Sequence, residues 1–368
     1  MIRPHPFAVH FDATKTTSGQ RFFRALYDVL STRSVPLDDR PDVVLFNVSA
    51  SLKAILGAKW RRQRVVLRVD GLYCDRLSQA FLAAIPAPLR AILGLGLTFP
   101  RLHDACAFLA NLYDRNYGSF IRILLADFLI YQSEYARAVH SRFFPWKPNA
   151  VIVNGSPLLR VHTGSGHDDG AIRIVTVCDE WRASKRLGDL VRFIRWARED
   201  KLIPIDLTIL GYSRNLPPCE AVKLRQEIEA ACWITTLPRF TDLSGAFSAA
   251  LQAGDIYMTF TFRDSCPNTV IESMAHGLPV VGVCSGGLPD IVGDAGRLVR
   301  WADFTGGFYN AARYECDFPP IDFEAVLRAV LEVHSRLPEY RERVRRRFVD
   351  QLDIERVADR YAAVLEAC

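Results

Sequence analysis

The sequence predicts an α/β protein with two doubly wound domains, each a parallel sheet covered by helices. Short β-rich apolar runs alternate with helical patterns along most of the chain. At 368 residues the chain is too long for one ordinary hydrophobic core and long enough for two. Its composition, 49% hydrophobic and 24% charged, is typical of a globular protein and excludes wholesale disorder.

Ten candidate strands divide evenly between the two halves of the chain. Those of the first half are Phe7–Phe11, Val43–Asn47, Val65–Val69, Phe128–Gln132 and Val151–Asn154. Those of the second half are Ile172–Cys178, Ile205–Gly211, Trp233–Thr236, Ile256–Phe260 and Val280–Cys284. Helical patterns fit Gln20–Ser31, Glu134–Phe143, Leu187–Arg198, Cys219–Cys232, Leu243–Ala253 and Asn268–His276, and residues 319–368 contain only helical patterns.

The segment Ser156–Gly170 marks the boundary between the two strand series. It is rich in Gly, Ser and Asp and has no apolar periodicity, as expected of a linker. We therefore predict an N-terminal domain over residues 1–157, joined by a C-terminal helix over 350–368 that crosses back, and a second domain over 158–349. Two such domains would face a cleft at the carboxyl ends of their strands, where open α/β sheets bind ligands.

Composition also indicates the compartment. The nine cysteines are odd in number and none are spaced Cys-x-x-Cys, which argues against a disulfide framework or a zinc site. The N-terminus lacks a signal-peptide pattern, and no apolar run is long enough for a membrane span. We expect a cytoplasmic protein.

Residues 1–160 contain 21 Lys and Arg against 11 Asp and Glu, a net charge of +10, whereas the remainder carries −5.

The strongest indication of function lies between Asp264 and Gly287. Pro267 is predicted to open a helix at the carboxyl end of a buried strand, so that amides of the helix N-terminus face the cleft. Asp264 precedes that helix, Glu272 lies one turn inside it, and Gly286-Gly287 follows the next strand. Carboxylates accept hydrogen bonds from paired hydroxyls, and amides suit a diphosphate. Together these groups describe a site for a nucleotide sugar.

The spacing Asp264-x7-Glu272, followed by Ala275-His276-Gly277-Leu278-Pro279-Val280-Val281 and then Gly286-Gly287, resembles the signature of glycosyltransferase family four (group 1). The resemblance implies the GT-B fold of two Rossmann-like domains and sugar transfer with retention. It assigns Glu272 to the ribose hydroxyls and Asp264, where the family usually has Glu, to the hydroxyls of the transferred sugar. It also places the donor beside the turn and helix start formed by Ser265, Cys266, Pro267, Asn268 and Thr269.

Further donor contacts follow from the same resemblance. The family supplies an Arg and a Lys to the donor diphosphate; Lys185 matches the Lys, and Glu180 stands at the place of the Arg, so Arg182 or Arg186 would substitute. Cations at this place would neutralise the leaving diphosphate without a metal. The remaining contacts predicted in the second half are Gly211, Tyr212, Arg239 and Phe240.

In the first half, Ser18-Gly19 ends a loop that matches the position of the family's glycine loop. Asp70, at the end of the third strand, is the candidate catalytic carboxylate facing the donor sugar; an ordinary turn-forming Asp-Gly is the alternative. Asn154-Gly155-Ser156-Pro157 resembles the family's hinge.

The expected donor is a UDP, GDP or ADP sugar, and no cofactor or obligatory metal is expected. The acceptor would be a glycan or lipid-linked hydroxyl, as in polysaccharide or lipopolysaccharide assembly. The run Pro86–Leu95 and the basic run Lys59–Arg64 fit peripheral contact with the inner face of a membrane, or else ordinary helix packing. No nucleic-acid motif accompanies the basic residues. Two alternatives stay open: an epimerase on the same fold, and a non-catalytic sugar-nucleotide-binding subunit.

Overall fold

The structure is a computed structural model that describes residues 6–11, 18–72, 74–83, 85–113, 116–157, 170–178, 181–212, 220–238, 245–300 and 318–368. The chain divides into two compact units. Unit 1 holds the described residues up to Ser156 together with Gln351–Cys368, and unit 2 holds those from Pro157 to Asp350.

Unit 1 contains a five-stranded parallel sheet in the order β1-β2-β3-β4-β5. The strands are β1 (Phe7–His10), β2 (Val43–Asn47), β3 (Arg64–Val69), β4 (Phe128–Tyr131) and β5 (Asn149–Val151). The helices of this part are α1 (Ser18–Leu30), α2 (Leu52–Trp60), α3 (Gln79–Ala83), α4 (Ala87–Leu93), α5 (Leu95–Thr98), α6 (His103–Tyr113), α7 (Tyr117–Leu125) and α8 (Glu134–Ser141). The central strands are buried on both faces, which explains their continuous apolar sequences.

Unit 2 contains a six-stranded parallel sheet in the order β11-β10-β9-β6-β7-β8. The strands are β6 (Ile172–Val177), β7 (Ile205–Leu210), β8 (Ile234–Thr236), β9 (Ile256–Thr259), β10 (Val280–Val283) and β11 (Gly296–Val299). The helices are α9 (Leu187–Glu199), α10 (Glu220–Ala230), α11 (Ala246–Gln252), α12 (Asn268–Ala275), α13 (Leu288–Val292), α14 (Phe323–Ser335) and α15 (Leu337–Arg347).

The last helix returns to unit 1. After a π-helical turn (Phe348–Leu352), α16 (Ile354–Ala367) packs on α1 and β2. Ile354, Val357 and Tyr361 join Phe22 and Phe23 in one buried cluster. The backbone of Ser156 pairs with this return, because its N–H donates to the carbonyl of Leu352 and its carbonyl accepts from the N–H of Ile354. The predicted fold class, two parallel-sheet α/β domains with a returning C-terminal helix, is confirmed.

Several element predictions were wrong in detail. The strand predicted at Val151–Asn154 lies at Asn149–Val151, and the helices α2 to α7 and α13 and the strand β11 were not predicted. Pro267 is the N-cap residue and not the first residue of its helix, which begins at Asn268. Among the residues that the structure describes, every helix is too short or too polar to span a bilayer.

Candidate functional site

Three turns of unit 2 meet at one edge of its sheet. The strands β10, β9 and β6 are neighbours and run parallel, so their carboxyl ends share an edge. The turns after them are joined by hydrogen bonds from backbone N–H groups. The N–H of Phe262 donates to the carbonyl of Ser184 (2.7 Å), and the N–H of Arg263 donates to the hydroxyl of Ser285 (2.8 Å). The predicted residues Lys185, Asp264 and Gly286 therefore belong to one local structure.

Lys185 and Asp264 form an ion pair at this edge. The Nζ atom of Lys185 lies 3.1 Å from Oδ2 of Asp264, and each side chain is about one third exposed (30% and 31%). The other oxygen, Oδ1, accepts a hydrogen bond from the backbone N–H of Cys266 at 3.1 Å. A fixed carboxylate thus stands directly beside an ammonium group that water, or a ligand, can reach.

The Gly286-Gly287 turn holds the backbone of Asp264. Gly286 has φ +56°, and a Cβ atom there would lie 2.1 Å from the carbonyl oxygen of Asp264. The N–H of Gly287 donates to that same oxygen at 2.8 Å. Glycine is required at position 286 by both the left-handed backbone and the close approach. In this structure the turn positions Asp264, a role that the sequence did not predict.

Glu272 lies inside α12 and is buried, with 5% of its surface exposed. Its surroundings are polar: the hydroxyl of Tyr257 donates to the hydroxyl oxygen of Thr269 (3.0 Å). Burial raises the pKa of Tyr257, the Thr269 hydrogen bond opposes that shift, and the nearby Glu272 carboxylate adds to it. Tyr257 therefore stays a neutral hydroxyl beside the predicted ribose carboxylate.

His276 fixes the end of the same helix. Its Nδ1–H donates to the carbonyl of Glu272 at 2.7 Å, and Nε2 lies 3.1 Å from the hydroxyl of Ser248, which donates to the neutral ring. The ring is buried, and burial lowers its pKa. His276 connects α12 to α11 and supports the position of Glu272.

The cationic turn after β6 contains Arg182, the predicted site residue, and Arg186, the other arginine that could replace the family's Arg. Arg186 is buried; its Nε donates to Asp189 (2.6 Å) and its Nη1 to the carbonyl of Pro319 (2.7 Å). These bonds stabilise the fold, so Arg186 is not available to replace the family's Arg. Glu180, which stands at the place of that Arg, lies outside the described residues. Arg182 is half-buried and lies just before the turn Ala183–Lys185. Arg182 is therefore the better candidate for the diphosphate.

An aromatic pair stands beside this turn. The rings of Trp181 and Tyr212 meet edge to face with centroids 5.5 Å apart, and both are buried. Gly211 has φ +76°, which lets β7 turn sharply into Tyr212. Gly211 and Tyr212 were predicted as donor contacts, whereas Trp181 was predicted only as the first residue of the cationic cluster and was given no role of its own. The predicted contacts Arg239 and Phe240 lie outside the described residues.

The remaining predicted residues belong to unit 1. Ser18 and Gly19 are the first residues of α1. Asp70 follows β3, and its Oδ1 accepts from Nη1 of Arg68 (2.7 Å) and from Nε2 of Gln132 (2.6 Å). Two side chains at the ends of neighbouring strands therefore hold the carboxylate, which is more than a turn-forming Asp-Gly requires.

Arg68 is fully buried and connects several strand ends of unit 1. It also donates to the side-chain oxygens of Asn47 (3.3 Å) and Asn154 (3.1 Å), and its guanidinium carbon lies 4.9 Å from the Phe22 ring centroid. A buried cation needs such partners, because removing its charge from water without them costs roughly several kcal/mol. Arg68 belongs to the predicted feature Arg68-Val69-Asp70-Gly71 but was given no role there, although an arginine inside the run Arg64–Val69 was a visible signal.

Two parallel-sheet units with their C-terminal helix returned to the first are the GT-B fold, and solved structures with this fold resemble the chain. A pneumococcal O-GlcNAc transferase, GtfA, solved with UDP and GlcNAc, is 14% identical with a TM-score of 0.56, over 88% of this chain and 56% of that one. HepE from Anabaena, solved with UDP-glucose, is 11% identical (TM-score 0.56), over 93% of this chain and 82% of that one. The lipopolysaccharide outer core galactosyltransferase WaaB is 13% identical (TM-score 0.55), over 97% and 83%.

The family comparison agrees with the fold. Residues 171–314 match the family model described as "Glycosyl transferases group 1". The resemblance to group 1 glycosyltransferases is thereby confirmed, and the matched segment contains Lys185, Asp264, Glu272 and the Gly286-Gly287 turn. No curated protein matches the sequence. The chain spans little more than half the length of the pneumococcal transferase, at 56%.

Proposed function

We propose that this protein is a glycosyltransferase that moves a sugar from a nucleoside-diphosphate sugar to an acceptor hydroxyl. The observation that carries the proposal is the Lys185–Asp264 ion pair, whose Asp264 is held by the Gly286-Gly287 turn and is followed in the chain by the helix that contains Glu272. A diphosphate needs cations, and a sugar needs a fixed hydrogen-bond acceptor. The pair supplies both within 3.1 Å.

Each side chain then has a defined role. Lys185 and Arg182 bind the diphosphate and neutralise the charge that grows on it as it leaves. Asp264 accepts hydrogen bonds from hydroxyls of the transferred sugar once its pairing with Lys185 is shared with the donor. Glu272 accepts hydrogen bonds from the ribose hydroxyls. Asp70 of unit 1 is the catalytic carboxylate for the donor sugar that the resemblance implies.

The proposed reaction retains configuration and uses no metal. The acceptor oxygen bonds to the anomeric carbon on the face that the diphosphate leaves. The bond from that carbon to the diphosphate oxygen breaks, its electron pair stays on the diphosphate, and the diphosphate takes the proton of the acceptor hydroxyl. Lys185 and Arg182 supply the charge neutralisation that a metal ion provides at other diphosphate sites. The proposed acceptor is a glycan or a lipid-linked sugar, and the proposed place of action is the cytoplasmic face of a membrane.

Two measurements test the function. A thermal-shift panel of UDP, GDP, ADP and their sugars identifies the donor, because a ligand that binds only the folded state raises the unfolding temperature. The donor is then incubated with and without candidate acceptors. Transfer that requires an acceptor supports the proposal. Isomerisation of the donor without acceptor would show an epimerase, and donor binding without turnover on any acceptor would show a binding subunit.

A further inference from the structure

Residues 86–102 of unit 1 expose an unusual number of large apolar side chains. They include α4, α5 and a 3₁₀ turn (Pro100–Leu102). Ile92, Phe99 and Leu102 are 63%, 52% and 45% exposed, and Leu95 and Leu97 are exposed as well. We call these five side chains, with the backbone that carries them, the 86–102 face.

The fold cannot hide this face by turning its helices. The inward side of the same segment is already packed: Leu93 is buried, and a Cβ atom on Gly96 would lie 2.7 Å from both Cys106 Cβ and Leu77 Cδ1. Turning the helices would therefore replace a filled contact with a clash. The outward apolar side chains are surplus to the core of unit 1, and exposed apolar patches of this kind mark interaction sites.

Charge identifies the partner of the 86–102 face. The only charged residues of the segment 86–102 are Arg90 and Arg101. Arg90 donates to the carbonyls of Ala83 and Ile85, which carry no charge, and Arg101 is exposed with no ion pair among the described residues. The next acidic residue along the chain, Asp104, is paired with Arg142. The face is apolar and cationic, with no carboxylate of its own.

We propose that the 86–102 face docks on a lipid bilayer that contains anionic lipids. The apolar side chains enter the interfacial region, and Arg90 and Arg101 pair with phosphate head groups. A second copy of the chain fits this face poorly, because a two-fold contact would bring together two copies of the same cationic segment, and neither copy has a carboxylate within residues 86–102. The docking concerns unit 1 alone and is independent of transfer chemistry, so it can be tested without a donor.

The test is sedimentation of the full chain with vesicles of phosphatidylcholine, with or without phosphatidylglycerol. Wild type is expected to sediment with the anionic vesicles, less with neutral ones, and less as salt is raised. The double variant Phe99→Ser/Leu102→Ser should lose at least about ten-fold in binding. Arg101→Glu should lose binding to anionic vesicles only. Leu202→Ser, which removes an exposed leucine of unit 2, is the matched control and should bind like wild type.

Several outcomes would overturn the proposal. One is equal sedimentation of wild type and the double variant, once circular dichroism shows that both are folded. Another is loss of binding in Trp60→Ser instead, since Trp60 is an exposed residue of unit 1 outside the face. Size-exclusion chromatography supplies the third: a wild-type dimer that the double variant converts to a monomer, without vesicle binding by either, would show that a second copy covers the face.

Discussion

The ammonium group of Lys185 lies 3.1 Å from the carboxylate of Asp264, although 79 residues separate them in the chain. Each group is about one third exposed, so the pair is screened and contributes no more than ~1 kcal/mol to stability. Stabilising the fold is therefore a weak explanation for this ion pair. The pair matters more for ligand binding, because it places a cation for the phosphates 3.1 Å from a carboxylate for the sugar.

Replacing Lys185 by Ala should slow transfer strongly without unfolding the protein. We expect kcat to fall by at least ~100-fold, because the cation stabilises charge that develops on the leaving diphosphate. The free energy of unfolding should change by less than ~1 kcal/mol. Steady-state transfer rates and urea unfolding measure the two effects.

Lys201 provides the matched control for Lys185→Ala. It also pairs with a carboxylate, that of Glu324, and has a similar exposure, 36%. Lys201→Ala should leave kcat unchanged. Undiminished transfer by Lys185→Ala, or equal losses in both variants, would contradict the role assigned to Lys185.

The elements that carry this site were predictable because their signals are local. Three of the strands that precede its turns, β6, β9 and β10, are short apolar runs, and the Asp264 to Gly287 spacing is itself a sequence pattern. The ion pair was not predictable in the same way. The pair depends on β6 and β9 being neighbours in the sheet, and this strand order cannot be predicted from the local sequence of either strand.

The errors have identifiable physical causes. Val151–Asn154 has an apolar, β-branched sequence, but β5 pairs only with Leu129–Tyr131 and ends at Val151; Asn154 turns its side chain to Arg68. Gly296 weakens the strand pattern of β11, yet a Cβ atom there would lie 2.0 Å from the carbonyl oxygen of Val280, so the strand pair needs that glycine. Local propensity was overruled by tertiary pairing in both places.

Gly286→Ala should destabilise unit 2 and weaken donor binding together. The new Cβ atom would collide with the carbonyl oxygen of Asp264, and the backbone at φ +56° already disfavours alanine. Gly245 is a control with a similar φ of +58° and nothing within 4 Å of an added Cβ atom. We expect Gly245→Ala to cost ~1–3 kcal/mol from backbone strain, and Gly286→Ala at least ~2 kcal/mol more.

Urea unfolding and titration with the donor separate the two glycine variants. Gly245→Ala should keep the donor affinity of wild type, whereas Gly286→Ala should lose it because Asp264 moves. Similar losses of stability in both variants would show that the 2.1 Å approach to Asp264 can relax at little cost.

Glu272→Gln should weaken binding of a nucleoside diphosphate but not of inorganic diphosphate. The substitution keeps the shape of a buried side chain and removes the charge that the ribose hydroxyls would meet. Hydrogen bonds to charged groups contribute ~1.5–3 kcal/mol, so the expected loss for the nucleotide is roughly 10- to 100-fold. Isothermal titration with the two ligands measures the difference. An equal effect on both would indicate that Glu272 only supports the fold of α12.

His140 should make the stability of unit 1 depend on pH. The ring is fully buried against Tyr131, its Nδ1–H donates to the carbonyl of Ala136 (2.8 Å), and burial lowers its pKa to about 4, against a smaller opposing effect of that hydrogen bond and of Asp70. The unfolded chain binds a proton near pH 6.5. Between these two values the unfolded state holds more protons than the folded one, so stability is complete above about pH 6.5 and falls as the pH is lowered towards 4, by on the order of 3 kcal/mol.

Urea unfolding from about pH 7.5 to about pH 4.5 should therefore show a shallower pH dependence for His140→Gln than for wild type. Carboxylates that titrate in the same range are common to both proteins and cancel in the comparison. Parallel curves for the two would mean that the buried ring contributes nothing to acid sensitivity.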